Sequence, residues 1–146
     1  MGVKKWLTWR NVSVLLLLLA VASAIYLALP KKEEPLSIKL LYCPDLVTGC
    51  GDGKLQVRFS QAPKVLQPFG IDLQLVEARA VHVSFAMNGM EMGLNRYRLV
   101  QQPDHSWHAD VTLPVCVQSR SDWQALVEAE MPAGTERYQF SFTATR

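Results

Sequence analysis

From residue 37 onward, apolar residues in this chain recur at every second position, the period of a strand with one face in a core and the other in water. Leu55, Val57 and Phe59 alternate with Gln56 and Arg58, and Val81, Val83 and Phe85 alternate with His82 and Ser84. The same rhythm runs through Trp107, Ala109, Val111 and Leu113, then Trp123, Ala125, Val127, Ala129 and Met131, and finally Tyr138, Phe140, Phe142 and Ala144. Residues 37–42, 71–76 and 96–101 add further short stretches, with Pro, Gly, Asp and Ser punctuating the gaps. The pattern predicts an all-β domain, an immunoglobulin-like antiparallel β-sandwich of about seven strands. Its inward parity assigns Trp107, Trp123, Phe59, Phe85, Phe140 and Phe142 to the core.

The N-terminal segment follows a different rule. Lys4, Lys5 and Arg10 precede an uncharged apolar run over residues 12–29, which Pro30, Lys31 and Lys32 close. At ~1.5 Å rise per residue the run crosses most of a ~30 Å hydrocarbon layer, and the basic residues before it belong on the cytoplasmic side. The expected organisation is a basic cytoplasmic flank over 1–11, one N-terminal transmembrane helix over 12–29, a polar linker over 30–36 and an exported domain over 37–146. Ala22-Ser23-Ala24 has the small-residue form that a signal peptidase cleaves. The run nevertheless continues through Ile25-Tyr26-Leu27-Ala28-Leu29, more apolar length than a signal core requires, so the segment is expected to stay as an anchor, in effect an uncleaved signal. Both outcomes export the domain. The expected location is the bacterial inner membrane, single-pass, with the N-terminus cytoplasmic and the domain periplasmic. A formal net charge of +2 does not indicate nucleic acid as a partner.

Met87-Asn88-Gly89-Met90-Glu91-Met92 concentrates three thioethers within six residues. Asn-Gly is a strong two-residue hairpin signal, because both residues tolerate positive φ. Such a turn would set Met87 opposite Met90 with Cβ atoms ~4.5–5.5 Å apart, and Met92, two residues on, would share that face. Thioethers favour copper(I), so Met87, Met90 and Met92 are candidate ligands for that ion. A second reading stands beside it: Val83, Phe85, Met87, Met90, Met92 and Leu94 share one parity, so the methionines also suit flexible core filler or a hydrophobic docking surface for a membrane complex. Tyr97 and Leu99 break the parity and require a bulge or loop around residues 93–95 if they are to turn inward.

Cys43, Cys50 and Cys116 allow three disulfide pairings in an oxidising compartment. The short loop between Cys43 and Cys50, containing proline and glycine, favours that pair. Cys116 would then be either a buried small hydrophobe or, near the turn, a further soft ligand. His82, close to the methionines in sequence, is a weaker candidate ligand; His105 and His108 flank Trp107 in a turn-like setting and suit ordinary surface roles. Gly49-Cys50-Gly51-Asp52-Gly53 reads as a turn before the strand at Lys54. The sequence carries no G-x-S-x-G elbow, no His-Glu-x-x-His helix, no phosphate-binding glycine loop and no Cys-x-x-Cys, so no enzymatic activity is expected.

Residues 83–93, with Trp107-His108-Ala109-Asp110-Val111-Thr112-Leu113-Pro114 and Trp123-Gln124-Ala125-Leu126-Val127, resemble the YtkA-like and FixH-like proteins, which are small, membrane-anchored, exported sandwich domains. The similarity covers about residues 71–131, carrying Met87, Met90 and Met92 onto the methionine-bearing turn and Trp123 onto a late tryptophan. It implies a part in copper handling or in assembly of a haem–copper respiratory oxidase, the membrane acceptor that would be its partner. The cysteines, the Leu113-Pro114-Val115-Cys116 segment and Asn95-Arg96-Tyr97-Arg98 depart from that pattern.

Overall fold

The computed structural model describes residues 11–19, 21, 37–87, 89–90, 95–115 and 120–146. The chain divides into two units, Met1–Pro35 and Leu36–Arg146. In the first, residues 11–19 and 21 are helical. Among the described residues no helix is long and apolar enough to cross a membrane. Residues 20 and 22–29 of the expected span lie outside the described residues.

The second unit is built from strands: β1 (Ile38–Leu40), β2 (Cys50–Gly51), β3 (Leu55–Phe59), β4 (Pro68–Leu75), β5 (Ala80–Met87), β6 (Arg96–Arg98), β7 (Val100–Gln101), β8 (Trp107–Thr112), β9 (Asp122–Met131) and β10 (Gly134–Thr143). They form two five-stranded sheets, ordered β1-β10-β9-β5-β6 and β2-β3-β4-β8-β7. Every pairing is antiparallel except that of β1 with β10.

Each apolar stretch seen in the sequence became a strand. The eight stretches, about seven strands being expected, became ten strands among the described residues for two reasons. The stretch over 96–101 divides at Leu99, which is buried where the chain leaves one sheet for the other. The glycine-rich segment before Lys54 adds β2, with Cys50 facing Val57 and Gly51 facing Gln56. Only glycine fits at position 51, because a Cβ there would approach the Leu55 carbonyl oxygen to 2.1 Å. Asp52 closes that turn by accepting from the Lys54 and Leu55 amides at 3.0 Å each.

Alternation decides the interior. Along β5 and β9 every second side chain is buried, and the two inner faces meet in one core with no buried charged or polar residue among those described. Phe59, Phe69, Phe85, Phe140 and Phe142 interlock, with centroids 4.9–6.4 Å apart in tilted and edge-on arrangements. Phe59, Phe69, Phe85 and Phe140 are buried and each contributes about 1.5–3 kcal/mol through burial, plus about 0.5–1.5 kcal/mol for favourable ring geometry, while Phe142 is partly buried.

The chain crosses between sheets on both flanks. On one, Cys43 and Cys50 are joined in a disulfide with Cα atoms 5.3 Å apart, stapling the crossing from β1 to β2 as the sequence favoured. Closing so short a loop limits the unfolded chain and stabilises the fold by about 2.5 kcal/mol on a chain-entropy argument. Inside the loop, Leu46 is buried and its carbonyl accepts from the Phe59 amide at 2.7 Å. On the other flank, Leu99 is buried and its amide donates to the Val81 carbonyl at 2.9 Å. The parallel strand β1 is fastened by Lys39, whose ammonium reaches Glu136 at 2.7 Å and stands 4.8 Å from the Tyr138 ring centroid.

Candidate metal centre

The methionine turn forms as the Asn-Gly pair predicts. Met87 and Met90 make an isolated antiparallel bridge, the Met90 amide donates to the Met87 carbonyl at 3.0 Å, and Gly89 has φ +74°. Both side chains belong to the core-facing side: Met87 is 2% exposed, and Met90 is partly buried against the core. Met92 and Cys116 lie outside the described residues.

Beyond Met90 the pairing changes register. A hairpin continued from the Met87–Met90 bridge would set Ser84 opposite Gly93, yet Ser84 faces Arg96, so the returning strand carries three extra residues. Three is odd, and an odd shift exchanges the two faces of a strand. Tyr97 therefore turns inward against Phe85, with centroids 6.1 Å apart, and donates its hydroxyl to the Thr112 carbonyl at 2.7 Å. Leu99 is buried for the same reason. This is the interruption that the parity break at Tyr97 and Leu99 required.

The turn occupies one end of the sandwich, where β5, β8 and β10 finish and β9 begins. Bridges from Val65 to Leu113 and from Lys64 to Thr145 close that end, and Leu66 and Val115 there are 64% and 57% exposed. Where β9 begins and β10 finishes, Asp122, Trp123, Gln124, Ser141, Phe142 and Thr143 line a recess of about 300 Å³. The Arg120 guanidinium hydrogen-bonds Asp122 and holds its carboxyl below the usual carboxylate range.

One neighbour of the methionines is legible in the sequence as a core residue and as the late tryptophan of the resemblance, without its place beside the turn. In the β5–β9 register Met87 stands directly opposite Trp123, which is fully buried. The indole Nε1 of Trp123 and the Nδ2 of Asn95 are buried without a hydrogen-bond partner among the described residues. Register alone joins Trp123 to the turn, since the two are far apart along the chain. Once the β5–β9 pairing is known, their shared inward parity is the signal that finds it.

His82 does not join this group. It alternates with the buried residues of β5 and so faces away from Met87, with Glu128 and Arg98 as its cross-strand neighbours. On that outer face Glu128 accepts from Arg137 at 2.9 Å and from Arg96 at 3.0 Å, giving those two arginines a structural partner. His105 sits in an exposed turn at φ +64°. His108, on the outer face of the other sheet, places Nδ1 2.7 Å from Asp72 and Nε2 3.6 Å from Asp110. Gly70 leaves room for that ring, because a Cβ there would lie 3.0 Å from His108 Cε1. Among the described residues no group of three or more His, Cys, Asp and Glu side chains is arranged to hold a metal ion.

The chain matches no family model, no curated protein and no solved structure.

Proposed function

We propose that this chain is a membrane-tethered, exported accessory protein that binds copper(I) at the methionine turn and passes it to a membrane acceptor. The observation that carries the reading is the Met87–Met90 bridge, which brings two neutral, soft sulfur donors to one face of a tight turn. That donor set fits a soft monovalent cation and offers little to calcium, magnesium or zinc, which favour oxygen, nitrogen or thiolate ligands. Met87 and Met90 would hold the ion, with Met92 in the same segment and the more distant Cys116 as further candidates. Copper(I) is cargo here, and the protein's contribution is soft coordination and shielding from water.

Export is supported by the Cys43–Cys50 disulfide, a bond characteristic of oxidising compartments. A retained anchor over residues 12–29 would keep the domain close to membrane acceptors and raise its effective concentration there. The immunoglobulin-like reading draws support from strand order. With β1 and β2 set aside, β3-β4-β8-β7 follows the A-B-E-D order, and β10-β9-β5 follows G-F-C with β6 added beyond C. The resemblance to YtkA-like and FixH-like proteins points the same way, toward copper supply for a haem–copper oxidase.

The test is a copper(I) titration of the full chain in detergent against a chromophoric chelator, comparing wild type with Met87→Leu/Met90→Leu/Met92→Leu. Leucine keeps apolar bulk and removes the sulfur. Stoichiometric binding lost in the variant is the expected result; equal, negligible binding by both would overturn the reading.

Burial of Met87 favours a second reading, in which the methionines pack the core and this end of the sandwich docks a membrane complex without metal. In that case leucine substitutes freely, and Met90→Asp abolishes association.

A further inference from the structure

The β5–β9 register sets a tryptophan against the thioether pair, and we infer that Trp123 is part of the copper(I) site, packing its indole against the bound cation. The inference rests on the copper reading above.

Thioethers are neutral, so an ion held by Met87 and Met90 keeps its full positive charge, in contrast to one held by thiolates. Asp122, where β9 begins, is already engaged by Arg120. Met87 is 2% exposed and Trp123 fully buried, so water supplies little screening beside them. A cation in such a setting is stabilised by an aromatic face, and indole offers the strongest, its attraction growing as the pair is desolvated.

The strand register suits such a contact. Met87 and Trp123 are directly opposed across β5 and β9, with both side chains on the inner face. Directly opposed residues on one face have Cβ atoms ~4.5–5.5 Å apart, within reach of a sulfur-bound ion. Phe85 precedes Met87 by one alternation on that face and contacts Tyr97 and Phe142. Met90, across the turn and only partly buried, is the ligand that meets the ion first.

The experiment follows tryptophan emission and near-ultraviolet absorption while the full chain in detergent is titrated anaerobically with copper(I) alone, chelator competition reporting binding independently. Trp6→Phe/Trp9→Phe/Trp107→Phe leaves Trp123 as the sole emitter, and Trp123→Phe is assayed in parallel. Expected are emission quenching that saturates with bound copper and an affinity about thirty-fold weaker in Trp123→Phe, the equivalent of a desolvated cation–π contact. Where Trp123→Phe fails to fold, quenching in the sole-emitter protein decides. Copper bound with unchanged Trp123 emission would overturn the inference and leave the methionine site standing; no copper bound would overturn both.

Discussion

Two hairpins in the same sheet begin alike and end differently. Met131 and Gly134 close the β9–β10 hairpin, and the register runs unbroken from there to Asp122 opposite Thr143. Met87 and Met90 close a turn of the same length, yet their bridge stands alone before the returning strand slips by three residues. Ladder hydrogen bonds and inward alternation reinforce each other along β9 and β10, so that hairpin serves the fold throughout. At the methionine turn Met87 is buried and Met90 packs against the core, and past the slip the Asn95 carbonyl accepts from the Phe85 amide at 3.0 Å. The three-residue excess has a structural consequence, turning Tyr97 and Leu99 inward.

Removing the excess is the strongest way to break this contrast. Deleting residues 91–93 would carry the Met87–Met90 register directly into β6, leaving Arg96, Tyr97 and Leu99 with their present partners. On the copper reading, chelator competition should register weaker copper(I) binding, since Met92 is removed while Met87 and Met90 stay paired, and thermal unfolding should remain cooperative. Undiminished copper binding would show that neither Met92 nor the slip contributes to the site.

The methionines themselves sharpen it next. Met87→Ala empties a fully packed position and should cost about 3 kcal/mol in denaturant unfolding, against about 1 kcal/mol for Met131→Ala, whose side chain is only partly buried. Equal costs would contradict the burial difference. A smaller effect is expected from backbone conformation. Gly89 at φ +74° and Gly134 at φ +142° both have open space where a Cβ would stand, so alanine at either strains the backbone without a clash. Each substitution should cost about 1–2 kcal/mol, measurable as a lower denaturation midpoint.

The smallest effect belongs to the end of the sheet where β10 begins. Hydrogen bonds from Lys39 and Tyr138 hold the Glu136 carboxyl below its usual range. A carboxylate whose folded pKa is depressed adds stability above its unfolded value, about pH 4.3, and loses it as pH falls through the folded value. Lys39 is shifted the opposite way, raised from 10.5 with the Glu136 hydrogen bond as the main cause, so its contribution persists until alkaline pH exceeds that raised value. Glu136→Gln should therefore flatten the acid limb of a stability–pH profile by a few tenths of a kcal/mol, since the pair is partly exposed. An unchanged acid limb would remove Glu136 from the account.

Much of this protein was determined locally. Period-two alternation was enough to place the strands, because one buried face per strand leaves its mark on every second residue. The Asn-Gly turn, the inward tryptophans and the Cys43–Cys50 pair were legible for similar reasons: turn chemistry and short loops act over a few residues. What separated β6 from β7 was not local: Leu99, turned inward by the register slip, bonds Val81 on one sheet while β7 goes on to pair with β8 on the other. The same holds at the site. His82 is near Met87 in sequence and faces away from it, whereas Trp123 is remote and faces it. Sequence proximity fixes which side chains can alternate; only the pairing of β5 with β9 fixes which ones meet, because hydrogen-bonded register joins segments that no local pattern connects.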